Sequence, residues 1–298
     1  MQGMSRTPAS AAPAASDWVR RAELSEGMER IEARFQGQAY ALHRHDRYAI
    51  GSTLAGVQRF NYRRSQRDSL PGHSLVLHPD EPHDGQAGTD EGFHYRMVYI
   101  EPALIQAALG GRPLPFVEGG VSTDARLSAA VIALLAAPDL AREPLAQGDA
   151  IAGLAQALAA VSGAAAAPPR ADFLAARRAR EYLDAHRADV VALAALEAAT
   201  GRDRWSLSHD FRTFYGTSPY RYQTMRRLDQ VRRLLLAGSP LGDAAAAAGF
   251  ADQSHMTRHF GKAFGLTPGR WLRITTGLPV VREVDTATNV QDFASGAA

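Results

Sequence analysis

The sequence predicts two domains: an N-terminal antiparallel β-barrel or jelly roll with trailing helices, then an all-α domain that uses one helical unit twice. Three observations predict this. Two stretches 49 positions apart share a pattern, Phe211-x4-Gly216-x-Ser218-Pro219-x2-Tyr222 and Phe260-x4-Gly265-x-Thr267-Pro268-x2-Trp271. Such a period marks one supersecondary unit, and two copies are too few for a solenoid. Residues 31–100 break instead into short apolar runs between turn signals. The run from Gly163 to Arg170, mostly Ala and Pro, reads as a linker between the two.

Composition bounds the rest. A chain of 298 residues with 46% apolar and 21% charged content is an ordinary globular protein, long enough for two cores. It has no Cys, which excludes disulfides, thiol nucleophiles and Cys-ligated metals. Residues 1–17, rich in Ala, Ser and Pro, read as a disordered tail rather than a signal peptide. No run of 18 apolar residues occurs, so no membrane contact is expected and a cytoplasmic location is the default.

The barrel is read from Tyr48-Ala-Ile, Ser74-Leu-Val-Leu and Tyr95-Arg-Met-Val-Tyr-Ile, divided by Leu70-Pro-Gly, His78-Pro-Asp and Asp84-Gly. Two Ala/Leu helices follow, with apolar faces at Leu127, Val131, Leu134 and Leu135, then at Ile151, Leu154, Leu158 and Val161. They either cover the barrel or pair with a second copy of the chain. The expected boundaries are 1–17 tail, 18–162 barrel with helices, 163–171 linker, 172–276 helical domain and 277–298 tail.

From Asp172 onward the chain reads as helices. Ser218 caps a long helix that starts at Pro219 and stops before Gly238. A short helix, a glycine turn and a second helix occur on each side of it, which is the helix-turn-helix. The charge agrees. Residues 1–169 carry 15 Lys/Arg and 18 Asp/Glu, whereas residues 170–276 carry 17 and 10, so the basic surplus lies on the repeat. A polyanion partner fits. The second helix of such a unit enters the major groove of double-stranded DNA. Candidate contacts are Arg204, Trp205, Ser208, His209 and Arg212 in the first copy, and Gln253, Ser254, His255 and Arg258 in the second. Arg and Gln are the side chains that bond bidentately to guanine and adenine edges. A connecting helix of about 18 residues spans roughly 27 Å, near the roughly 34 Å between successive major-groove faces.

The stretch Arg227-Leu-x2-Val-x2-Leu-Leu-x2-Gly238-x2-Leu241-x2-Ala-Ala-x3-Gly249-Phe250-x-Asp252-x-Ser254-x2-Thr257-Arg258-x-Phe260-x3-Phe264-Gly265-x-Thr267-Pro268 resembles the signature of the AraC/XylS family of bacterial transcription regulators. The resemblance implies a cytoplasmic, sequence-specific transcription factor with a ligand-responsive N-terminal domain. It maps base contacts to Trp205, Ser208 and His209, and to Gln253, Ser254, His255 and Arg258. The chain departs from the pattern at His209, where Arg is usual, and at Ala244, where a larger aliphatic residue is usual.

The segments His43-x-His45-Asp46-x-Tyr48-x-x-Gly51, Pro71-Gly72 and Pro79-Asp-Glu-Pro-His83-Asp-Gly85 are similar to the cupin-type sensor domain of the same family. On a strand, His43 and His45 face one side, and a turn could bring His83 to them. Three imidazoles would make a facial metal set. The resemblance points the other way, because the family's sensor barrels generally bind no metal, so no metal and no cofactor is expected. A small-molecule effector pocket drawing on His43, His45, Tyr48, His83, Tyr95 and Arg96 is expected instead. A homodimer is compatible with this, as is contact with RNA polymerase if the protein is an activator. The rival readings are a cupin metalloenzyme (an oxygenase or isomerase) with an appended helical module, and a DNA binder whose barrel serves only dimerisation.

Overall fold

The computed structural model describes residues 17–136, 143–162, 171–187, 189 and 191–276. The linker expected at 163–171 and the two expected tails therefore lie outside the described residues, apart from Asp17 and Ala171.

Nine strands come first: β1 (Trp18–Ser25), β2 (Met28–Phe35), β3 (Gln38–His43), β4 (Tyr48–Gly56), β5 (Gln58–Tyr62), β6 (Ser65–Ser69), β7 (Ser74–Leu77), β8 (His83–Ala87) and β9 (Phe93–Ile100). A two-residue strand, β10 (Val121–Ser122), is added later. Antiparallel pairing gives a six-stranded sheet in the order β1-β2-β9-β4-β7-β10 and a four-stranded sheet in the order β3-β8-β5-β6. Strands begin at Trp18, before the expected β region, because β1 and β2 mix charged with apolar residues rather than forming apolar runs. Asp84-Gly85, expected as a turn, lies inside β8, where Gly85 faces Tyr40 across the ladder.

Strand alternation sorts the side chains. Phe35, Phe93, Tyr95, Met97, Leu75 and Leu77 of the large sheet meet Phe60 and Tyr62 of the small one and fill the space between them. The opposite face of the large sheet carries Met28, Tyr48, Ile50, Val76, Val98 and Ile100. Helices α1 (Pro102–Ala108), α2 (Ala125–Ala136) and α3 (Pro144–Ser162) pack on that face through Ile105, Leu127, Val131, Leu134, Leu154 and Leu158. The trailing helices thus cover the barrel.

Seven helices follow: α4 (Phe173–Ala185), α5 (Leu193–Thr200), α6 (Arg204–Tyr215), α7 (Pro219–Leu236), α8 (Leu241–Ala247), α9 (Gln253–Phe264) and α10 (Pro268–Thr276). The repeat is real in three dimensions. Phe211 meets Tyr222 edge-on at 5.5 Å and 69°, and Phe260 meets Trp271 at 5.8 Å and 69°. Asp203 and Asp252 cap α6 and α9 by accepting backbone N–H bonds. Both helices end at a glycine in the left-handed region, Gly216 (φ 71°) and Gly265 (φ 67°). Ser218 caps the 18-residue α7, with Pro219 at its first position.

The barrel and the helical half are joined by charge as well as by packing. Arg226 of α7 is almost fully buried and donates to Asp46 at 2.8 Å and to Glu101. Arg47 donates to Glu101 (3.3 Å) and Asp229 (3.1 Å), and Arg232 to Glu29 (2.7 Å) and Asp229 (3.1 Å). Burial pushes the Asp46 carboxyl up, against the pull of Arg226 and Arg47. Burial also acts to raise Glu101 and Asp229, but Arg226 and Arg47 outweigh it and hold both below the usual carboxylate range. A carboxylate buried this way is tolerable only while its guanidinium partners stay in place.

Candidate nucleic-acid interface and effector site

In each copy of the repeat, the second helix turns its apolar side to a core and its polar side to solvent. On α6, Leu207, Phe211 and Phe214 are buried, while Arg204, Trp205, His209 and Arg212 are exposed and Ser208 is half-buried. Trp205 is 72% exposed, with the Arg204 guanidinium over its ring at 4.1 Å. Arg212 donates to the Ser208 hydroxyl at 2.9 Å, so these two side chains act as one unit. On α9, Met256, Phe260 and Ala263 are buried, and Gln253, Ser254 and Arg258 are exposed. His255 is half-buried against Phe250 and bonded to His259 through their Nε2 atoms at 3.0 Å. Ala244 is fully buried in the core of the second copy, beside Phe250, Met256 and Phe260.

Comparison with known proteins identifies both halves. The family model described as the AraC-like ligand binding domain matches residues 26–160, and a helix-turn-helix domain model matches residues 196–274. The chain belongs to the AraC family. This regulator is 29% identical over 237 residues to the uncharacterised HTH-type transcriptional regulator YbfI of Bacillus subtilis, covering 76% of the chain and 86% of that protein. Its fold is that of ToxT from Vibrio cholerae, with a TM-score of 0.62 at 12% identity over 84% of this chain and all of that one. A ToxT structure with a bound unsaturated fatty acid is also similar, with a TM-score of 0.59 at 11% identity over 90% and 99% of the two chains. The protein is therefore a DNA-binding regulator of the AraC type with an N-terminal ligand-binding domain. No helix among the described residues is long and apolar enough to cross a membrane.

The six effector candidates of this AraC-family chain divide. His43, His45 and His83 come together, with ring centroids 4.3 to 5.9 Å apart, although β3 ends at His43 and His45 lies just beyond it. Tyr95 is in the barrel core and shares a 2.9 Å hydrogen bond with the Tyr40 hydroxyl. Tyr48 is not beside them. It belongs to the opposite face of the large sheet and donates to the Pro115 carbonyl at 2.7 Å. Arg96 is also elsewhere, on β9 opposite Glu32, which it binds at 2.8 Å together with His94 at 2.9 Å. Alternation along β4 and β9 separates these residues, and a list of polar types cannot show it.

Two cavities lie where the barrel meets the helices. One, of about 60 Å³, is lined by His43, His45, Tyr40 and Tyr99 from the barrel and by Phe264, Leu266 and Trp271 from the second module. The other, of about 520 Å³, is lined by Arg21, Arg47, Arg180, Arg187, Arg226, Arg232 and Arg233, with Glu23, Glu26, Glu29, Glu101, Asp184 and Asp229 between them. Sequence reading missed this cleft, because its walls come from β1, β2, α4 and α7. Burial draws the Arg21 guanidinium down to about 10, with Asp229 opposing.

Proposed function

We propose that this protein is a cytoplasmic regulator, not an enzyme, that reads a long DNA site with two helices under control of a small organic anion. The base-reading set is Arg204, Trp205, Ser208, His209 and Arg212 on α6, with Gln253, Ser254, His255 and Arg258 on α9. The observation that carries this reading is the pairing of two matched helices whose exposed faces hold these residues while their aromatic faces are locked in the same geometry. The arginine-lined cleft of about 520 Å³ is large enough for a metabolite-sized ligand. Its fixed guanidiniums favour a carboxylate, and the similar ToxT has been solved with a fatty acid. An anion there would compete with Asp229 and Glu101 for Arg226 and Arg232, and so alter how α7 is held against the barrel. A homodimer through the outer sides of α2 and α3, where Ile132 is 61% and Leu145 87% exposed, belongs to the same reading. So does contact with RNA polymerase if the protein activates.

The test is a gel shift on a site selected by the protein from random DNA. Affinity is expected to fall steeply with salt through counterion release. Arg258→Ala is expected to cost about 1–3 kcal/mol and relax one base preference. Unchanged affinity and preference in Arg258→Ala would show that α9 is not the reading helix.

A further inference from the structure

We propose that His43, His45 and His83 form a site for a divalent transition metal, and that filling it stiffens the hold of the barrel on the second reading helix. The three buried side chains offer ring nitrogens that lie within 4.8 Å of one another. Each Nδ1 is hydrogen-bonded to a backbone carbonyl: Ala41 for His43 (2.9 Å), Arg47 for His45 (2.7 Å) and Glu81 for His83 (2.9 Å). A carbonyl can only accept, so each ring carries its proton on Nδ1 and keeps the Nε2 lone pair for a ligand. Such second bonds are what orient metal-ligating histidines. The Nε2 of His45 is buried with no partner, which is a cost to the fold that a metal ion would remove.

The chemistry of the set selects the ion. Three neutral imidazoles with neither thiolate nor carboxylate suit Zn(II), Co(II), Ni(II) or Fe(II) rather than Mg(II) or Ca(II). Burial first, then the neighbouring imidazole charges, keeps His43 and His45 neutral, and burial does the same for His83. The small cavity against His43 and His45 leaves space for water as a fourth ligand. At about 60 Å³ it holds little more than a few waters, which favours a regulatory ion over one that turns over a substrate. This reverses the expectation from sequence that the histidines bind no metal.

The segment that carries two of the ligands also grips α9. The Ala41 N–H donates to the Gly265 carbonyl and the Arg44 N–H to the Lys262 carbonyl, both at 3.1 Å. An ion bridging His43 and His45 to His83 would tie this segment to β8. That coupling rests on the regulatory function proposed above, whereas the metal site itself does not.

The full-length, tag-free chain would be dialysed against Zn(II) and assayed by elemental analysis, with Co(II) absorption as an optical readout. About one equivalent of Zn(II) and a tetrahedral Co(II) band are expected. Both are expected to be lost in His83→Ala and kept in His259→Ala, which breaks the pair on α9. If His83→Ala melts early, the Co(II) spectrum of the unaltered chain decides alone. Less than about a tenth of an equivalent, or loss in His259→Ala with retention in His83→Ala, would overturn the site. On the selected DNA, Zn(II) against chelator is expected to shift affinity about fivefold or more, and no shift overturns the coupling. Failure to bind any DNA with one Zn(II) in place would sink the regulatory reading and leave the metal site standing.

Discussion

In the first module Asp210 is fully buried and accepts from Arg202 at 2.9 and 2.8 Å. Forty-nine residues on, the equivalent positions are His259 and Ala251, and no such pair exists. The second module is held from outside instead, by the two backbone bonds from Ala41 and Arg44 to the end of α9. The first touches the barrel mainly through side chains, with Gly216 lying on Pro79 and Arg221 paired to Asp80. Two copies of one unit thus differ in what fixes them. The first carries an internal ion pair, and the second takes its position from the ligand-binding domain. A change in the barrel reaches α9 through two main-chain bonds of 3.1 Å, and reaches α6 through side-chain contacts and one longer main-chain bond, from the Leu114 N–H to the Thr213 carbonyl at 3.4 Å.

The largest expected effect breaks the internal pair. Arg202→Ala leaves Asp210 buried without its partner, and is expected to cost about 3–5 kcal/mol in urea unfolding. His259→Ala in the second module is expected to cost less than about 1 kcal/mol. Equal costs would mean the ion pair does not distinguish the modules.

The next effect tests the hold of the barrel. A methyl at Gly265 would lie 2.6 Å from the Ala41 carbonyl oxygen and 2.8 Å from His43 Nδ1, at a φ of +67° that L-residues resist. Relieving it means parting backbone from backbone. At Gly216 the methyl would meet Pro79 side-chain carbons at 2.6 and 3.0 Å. Both substitutions incur the left-handed penalty of about 1–2 kcal/mol. Gly265→Ala is expected to cost about 3 kcal/mol in all, with Gly216→Ala about 1 kcal/mol less, because overpacking is worse where nothing can move. Gly265→Ala is also expected to weaken DNA binding more. The reverse order would place control of the barrel on the first module.

What could be read in the sequence follows from what is local. The tandem was legible because its glycines, caps and aromatics recur at fixed spacing, and Phe211 and Phe260 are fully buried as that spacing demands. The exposed faces of α6 and α9 followed from the same periodicity. His43, His45 and His83 could be picked out from two-residue spacing and a turn, but the carbonyls that set their tautomers could not. The ion pairs that join the halves were invisible. Asp46 and Arg226 are 180 residues apart, and each alone looks like a solvated charge. Tyr48 and Arg96 suit a pocket by residue type alone, but strand alternation places both on other faces.

The smallest expected effect concerns pH and the first module. His78 precedes Pro79, the residue on which Gly216 rests. Its Nε2 accepts from the Val117 N–H at 2.9 Å, so its proton is on Nδ1, which faces the Tyr62 hydroxyl at 2.6 Å. Burial, with Arg63 adding to it, pushes the imidazole down to about 3. The unfolded chain therefore takes up this proton first as pH falls. Stability from His78 is complete above about 6.5 and is lost as pH drops toward 3, at no more than about 1.4 kcal/mol per pH unit. His78→Asn is expected to flatten the stability-versus-pH curve between pH 6 and pH 4 by that slope, measured as the difference from the unaltered chain in urea unfolding. The barrel end under Gly216 is thus acid-sensitive, but the Gly265 contact also adjoins a buried imidazole, His43, which burial likewise holds below the ordinary value. Acid therefore loosens the barrel side of both modules, and His78→Asn isolates the share of the first. If the curve keeps its slope in His78→Asn, the barrel end under Gly216 contributes nothing to acid sensitivity, and the contrast between the modules rests on Arg202 and Gly265 alone.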